Sequence, residues 1–264
     1  MYEFNYQRPG SLDDAVSALR SAEDGQFMAG GMTLLPTLKQ RLARPSDVID
    51  LAGVPGLSGI SEEGGNIVVG AMTRHAEVAS STVVQAAIPA LAALADGIGD
   101  PQVRNRGTIG GSVANADPAA DYPAALVGLG ATVNTNQRSI GADDFFTGMF
   151  DTALEDGEII VSVSFPKPKR ASYAKFPNPA SRYAIVGVMV AETDGGVRVA
   201  VTGAGGSVFR VAEMENALSG NFSADAVSGI SVGQGDLNED IHASAEYRAH
   251  LVTVMAKRAV AAAG

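Results

Sequence analysis

Two runs of small residues constrain this chain more than any other feature. The longer is "NRGTIGGSVANADPAADYP", Asn105 to Pro123. It has neither the apolar spacing of an amphipathic helix nor the alternation of a half-buried strand. Thr108 and Ser112 flank its Gly110–Gly111 pair, and acids follow at Asp117 and Asp121. The shorter run is "MAGGMTLLP", Met28 to Pro36, in which a strand-like segment meets Gly30–Gly31 and a helix is predicted to begin near Thr33. Glycine adopts backbone conformations closed to other residues and lets the main chain approach a ligand closely. A helix start nearby adds free amides and a positive dipole end, which suits a pyrophosphate. Each run taken singly is equally the signature of an ordinary turn, and Asp117 and Asp121 of turn-forming and capping acids.

Other candidate motifs fall away. "TGAGGSV", Thr202 to Val208, follows a strand, but Val208 stands where the dinucleotide fingerprint requires glycine, so a turn is predicted. His75, His242 and His250 have no metal-binding spacing and are expected at the surface or at helix caps. "DPAAD" lacks the ligand spacing and the glycine of a calcium loop. No nucleophile elbow and no phosphate-loop lysine motif occurs. No catalytic residue and no metal ligand is therefore expected on this chain.

The composition narrows the class. A chain of 264 residues with a net charge of -10 is long enough for a large core and too acidic for non-specific nucleic-acid binding. It has no cysteine, so disulfides, zinc thiolates and cysteine-ligated iron–sulfur clusters must sit elsewhere. No apolar run is long enough for a membrane span, and the first residues lack a secretory pattern, so a cytoplasmic protein is expected.

Along the chain, Ser11 and Asp14 predict a capped helix. "LLPTLKQRLARP" predicts a helix closed by Pro45, and "TVVQAAIPALAALADGIG" one kinked near Pro89. "NIVVGAM" and "EIIVSVSFP" read as strands. "PKPKRASYAK" is the expected linker, followed by two strands turning at Asp194–Gly195 and a long C-terminal helix. Strands and helices mix without a regular alternation, which predicts an α+β fold.

The two glycine runs, in this order, resemble the flavin subunit of the molybdenum hydroxylases, most nearly the medium subunit of the aerobic carbon monoxide dehydrogenase type within the xanthine dehydrogenase family. "AGGMTLLP" is similar to that family's first FAD loop and "TIGGSVANADPAADYPAAL" to its second. The similarity extends through "FNYQRPGSLDDAV", "VVGAMTRHAEV", "YAKFPNPASRYAIVGV" and "AEYRAHLVTVMAKRA", and so covers nearly the whole chain.

The resemblance implies an FAD-binding domain (PCMH-type) over residues 1–167 in two parts split near residue 52, the first a small βαββ piece. A C-terminal domain over 171–264, with a three-stranded sheet and helices, would follow. It implies that Ala29, Gly30, Gly31, Met32 and Thr33 wrap the FAD pyrophosphate from one side, and Thr108, Ile109, Gly110, Gly111 and Ser112 from the other. Asp121 would meet adenosine or ribityl hydroxyls, Ile98 and Ile160 would touch the flavin, and Lys175 would lie near its ring. Met32 and Arg182 depart from the family's pattern, where a polar residue and an acid are common. Two partners are implied: a large subunit with the molybdenum cofactor, and a small subunit with 2Fe–2S clusters. The assembly would be a dimer of heterotrimers. Electrons would pass from the clusters through FAD to an external acceptor. A stand-alone FAD-dependent reductase or oxidase of similar fold, and a scaffold with an empty cleft, are the competing readings.

Overall fold

The computed structural model describes residues 1–263 and has an α+β fold with three main sheets. The N-terminal part runs β1 (Asn5–Gln7), α1 (Leu12–Ser21), β2 (Gly25–Met28), α2 (Leu34–Lys39) and β3 (Asp47–Asp50). Its strands pair in the order β1-β3-β2, all parallel. This is a regular alternation with two helical crossovers, more ordered than the predicted βαββ piece. Ser11 caps α1 by accepting from Asp14 N at 3.1 Å, as its sequence predicts. The second helix ends at Lys39, well before Pro45, where the chain turns through Arg41 at φ 61°.

The central part begins with β4 (Ile60–Glu63) and β5 (Asn66–Gly70). Six helices follow: α3 (His75–Ser80), α4 (Thr82–Ala87), α5 (Pro89–Asp96), α6 (Pro101–Arg104), α7 (Ile109–Asn115) and α8 (Tyr122–Leu129). The chain continues through β6 (Thr132–Thr135), β7 (Ser139–Gly141), α9 (Ala142–Phe145), the small hairpin β8 (Phe146–Gly148) and β9 (Asp151–Thr152), and β10 (Ile160–Pro166). The main strands form an antiparallel sheet in the order β4-β5-β10-β6-β7. The expected kink near Pro89 is a full break, because proline cannot donate within a helix and instead opens α5 at its first position.

The C-terminal part contains β11 (Arg170–Pro177), β12 (Ala184–Thr193), β13 (Gly196–Thr202), β14 (Phe209–Arg210), α10 (Ala212–Gly220) and α11 (Ala245–Ala263). Three long antiparallel strands carry the sheet, and the two-residue β14 adds a short edge. The linker expected over "PKPKRASYAK" is shorter than its composition suggests. Strand β11 starts at Arg170, so Tyr173 and Lys175 belong to the sheet and pair opposite Met189 and Gly187.

Strand β12 reads "AIVGVMVAET" because both its faces are buried. Val186, Val188 and Val190 pack with Val252 and Met255 of α11. Met189 and Ala191 join the central core with Leu126 of α8. A separate apolar cluster built on Ala15, Ile49 and Leu57 lies under the N-terminal sheet and reaches Ile159. The ends of these three sheets leave a cleft between them.

Candidate functional site: a glycine-walled cleft

The cleft has a volume of about 670 Å³, within the size range of cofactor sites. Both glycine runs line it. The first contributes Ala29, Gly30, Gly31, Met32 and Thr33, and the second Thr108, Gly110, Gly111 and Ser112. Ile98, Asp121 and Ile160 complete the expected set at its wall. Ile109 is turned away: it is fully buried in the central core. Lys175 does not line the cleft itself; it stands behind Asp121.

The two runs use their backbones in opposite ways. In the second run, Ile109 N donates to Thr73 O at 3.0 Å, Gly110 N to Ala71 O at 2.8 Å and Ser112 N to Thr108 O at 3.0 Å. Gly111 N donates to Thr108 Oγ1, the side-chain cap of α7, at 3.2 Å. This run is therefore the start of a short helix strapped to the end of β5, not an open loop. In the first run, the N–H groups of Gly30, Gly31, Met32 and Thr33 reach no acceptor among the described residues. Unpaired amides gathered on a concave wall are an anion cradle.

The glycines explain how the walls meet. A Cβ on Gly30 would lie 2.0 Å from Arg106 O, so the first run rests directly on the backbone leading into the second. Gly31 is held at φ 73°, which turns the chain from β2 into α2. A Cβ on Gly110 would lie 2.5 Å from Ala71 Cβ. These residues are small mainly so that backbones can touch. The third cluster is a packing turn, as expected: Gly203 has φ 82°, and a Cβ there would lie 2.4 Å from Ala184 O.

Asp121 joins the central and C-terminal parts. Its carboxylate accepts from Tyr173 Oη at 2.5 Å and from Lys175 Nζ at 2.8 Å, both on β11. Lys175 also donates to Gly97 O at 3.1 Å, beside Ile98. Burial pushes the Asp121 carboxyl above its ordinary pKa, against the opposing pull of Lys175 and Tyr173. Asp121 makes no capping bond to α8, whereas Asp117 does the expected turn work by accepting from Ala119 N at 2.9 Å. Glu158 also reaches the cleft, and the Arg138 guanidinium holds its carboxyl down at about 2.

Arg182 stands out in the sequence only as a departure from the family's pattern, and Tyr183 and Phe150 carry no signal there, yet all three reach the cleft. Arg182, at φ 63°, reaches across the cleft to Gly99 O at 3.4 Å. Tyr183 and Phe150 expose aromatic rings at its rim. His75 is a correction: it is buried in the cleft wall, not at the surface, while His242 and His250 are exposed as expected. Its spacing from Val78 on one apolar face of α3 was the available signal.

The family model for the FAD binding domain in molybdopterin dehydrogenase matches residues 2–168. The chain is 38% identical over 273 residues to the nicotine 6-hydroxylase medium subunit of Paenarthrobacter nicotinovorans, covering 98% of this chain and 96% of that relative. It is 35% identical to the carbon monoxide dehydrogenase medium chain of Hydrogenophaga pseudoflava, covering 98% of this chain and 96% of that one. A solved carbon monoxide dehydrogenase from the same organism superposes with a TM-score of 0.90 at 36% identity, over 99% of this chain and 97% of the other. Quinoline 2-oxidoreductase of Pseudomonas putida 86 superposes with a TM-score of 0.89 at 30% identity, over 99% of this chain and 97% of that one.

Proposed function

The chain belongs to the FAD-binding medium subunits of the molybdenum hydroxylases, and from that membership we propose how its own residues serve the enzyme. It is the flavin subunit of a heteromeric oxidoreductase whose molybdenum cofactor and iron–sulfur clusters lie on a large and a small partner subunit. When bound, FAD supplies a two-electron carrier between one-electron clusters and an external acceptor. The stand-alone reductase reading is set aside, because relatives aligned over nearly the whole chain are named as medium subunits of larger enzymes.

The observation that carries the site assignment is the contrast between free and engaged amides. Ala29 to Thr33 hold the pyrophosphate with the unpaired N–H groups. Thr108, Gly110, Gly111 and Ser112 form the rigid opposite wall, and Ile109 anchors that wall in the core. Asp121 receives a sugar or ribityl hydroxyl on whichever carboxylate lone pairs Tyr173 and Lys175 leave free. Ile98 and Ile160 supply apolar contact, and Lys175 acts on the site through Asp121 and Gly97. Residues 1–167 are assigned to the FAD-binding domain, in two parts split near 52, and 171–264 to the C-terminal domain. The three separate sheets support that division, while the apolar clusters run across it, Met189 and Ala191 entering the central core and Ile159 the N-terminal one.

Among the described residues no helix is long and apolar enough to cross a membrane. The same proposal places the complex in the cytoplasm, and fractionation of a tagged chain tests it. The relatives' names carry different substrates, in keeping with substrate chemistry on the large subunit. Reconstitution tests the functional reading. Substrate should reduce the flavin only after the large and small subunits are added. Substrate-dependent reduction by the FAD-loaded chain on its own would restore the stand-alone reading.

A further inference from the structure

His75 opens α3 with only 4% of its surface exposed, yet it lines the cleft. Its backbone N–H donates to Gly107 O at 3.0 Å. Its ring fills the space a side chain at 107 would need: a Cβ there would lie 2.5 Å from Nε2. Another part of the ring meets Tyr122, with centroids 5.4 Å apart and planes tilted by 50°. Nδ1 of His75 and the hydroxyl of Tyr122 are both buried, and neither has a hydrogen-bond partner. Buried polar side-chain atoms almost always have one, so two orphans in neighbouring rings mark a place where a polar group belongs.

Beside His75, Thr108 and Asp121 also line the cleft, with Thr108 Oγ1 engaged by Gly111 N and the Asp121 carboxylate by Tyr173 and Lys175, and the remaining neighbours are apolar. Ala71, Met72, Ile98 and Val103 are among them, and none brings a polar side chain to the cleft. Desolvation, with a smaller contribution from the Arg104 cation, lowers the imidazole pKa to about 4. The ring is therefore neutral at physiological pH and offers one N–H and one lone pair. A phosphate favours charge or several amides, which Gly30 to Thr33 provide. A neutral ring among apolar neighbours suits instead the edge of a planar heteroaromatic system.

We propose that His75 is a cofactor-positioning residue, with Nε2 hydrogen-bonded to a polar edge atom of the flavin ring, while an ordered water joins Nδ1 to the Tyr122 hydroxyl and sets the tautomer. The inference rests on the FAD reading and adds to it a contact that neither glycine run contains.

The test uses the assembled complex stripped of FAD, with the dissociation constants of FAD and of ADP and the visible spectrum of the rebound flavin as readouts. His75→Phe keeps a ring and removes both nitrogens. It should weaken FAD about tenfold, the scale of one lost hydrogen bond, shift the flavin absorption band and leave ADP affinity unchanged. His75→Gln should recover part of the loss, and Tyr122→Phe should show a smaller loss of the same kind. FAD affinity within about twofold of wild type with an unshifted band overturns the proposal. So does equal weakening of FAD and ADP, which would mean that His75 only packs against Gly107. Should His75→Phe fail to assemble, His75→Gln and Tyr122→Phe decide by the same criteria. A wild-type complex that takes up no FAD would instead sink the FAD reading itself.

Discussion

At the scale of single residues, the glycines of the cleft separate by what they touch. Gly30→Ala drives a methyl into Arg106 O at 2.0 Å, and both neighbours are main chain, so backbone must move. The expected result is loss of flavin and a destabilisation of about 1–3 kcal/mol. Gly111→Ala meets Thr108 Oγ1 at 3.0 Å and Ala29 Cβ at 3.2 Å, contacts a small shift can relieve. Flavin content and thermal unfolding of the two variants should therefore differ clearly; equal behaviour would mean that loop-to-loop contact is not what Gly30 serves. Glu158 makes a prediction about pH. Its side chain is fully buried and its carboxyl is depressed from 4.5 to about 2, mainly by Arg138. A depressed acid stabilises the fold above its unfolded pKa and loses that contribution as pH falls through the folded one. Glu158→Gln should cost about 1–3 kcal/mol at neutral pH. Urea titrations should show the gap to wild type closing as pH drops from about 5 towards 2. A gap independent of pH would show that charge on Glu158 is not the source.

At the scale of elements, caps give the cleanest comparison. Thr108 caps α7 and Ser11 caps α1 in the same way, each accepting from a backbone N–H three residues on. Thr108→Val and Ser11→Ala should each cost about 1 kcal/mol. They should differ in function, since Thr108 lines the cleft and holds the Gly111 amide, whereas α1 lies away from the cleft lining. FAD affinity measured beside unfolding free energy checks this, and a loss of affinity in Ser11→Ala would argue against a local role for the α7 cap. The turn between β12 and β13 was readable from its Asp194–Gly195 pair, whereas Pro89 marks a boundary between two helices where only a kink was expected. Boundaries were misjudged where composition and pairing disagree. Prolines and charges make 166–175 look like a linker, but from Arg170 on its residues pair with β12, and that partner is distant from it in sequence space only by a loop.

At the scale of the whole molecule, the C-terminal sheet is held between α11 and α8. A Cβ on Gly128 of α8 would lie 2.5 Å from Met189 Cγ on β12. Gly128→Val should destabilise the protein by about 1–3 kcal/mol. Met189→Ala should cost about 2–4 kcal/mol by opening a cavity at the same contact. The double variant should recover part of the combined loss, because the added methyls occupy the vacated volume. Denaturant unfolding of all four proteins measures the coupling, and strict additivity would show that the helix does not bear on the sheet there. The Asp121 pair with Lys175 and Tyr173 links the same two parts at the cleft, so cofactor binding and the seating of the C-terminal sheet share one carboxylate.

The amino-acid sequence by itself determined the class of this protein and where its small residues lie. The absence of cysteine rules out cysteine-ligated clusters on this chain, and the paired glycine runs point to the cofactor because small side chains at those places are a local property. Tertiary structure decided which backbone amides remain free. Ile109 and Gly110 spend theirs on Thr73 and Ala71, while Gly30 to Thr33 keep theirs, and nothing in either run predicts that difference. It also decided that His75 belongs to the cleft and that Asp121 meets residues 52 and 54 positions away. The reason is physical. Hydrogen-bond satisfaction and burial depend on which distant segments fold against a residue, and local spacing carries no record of that.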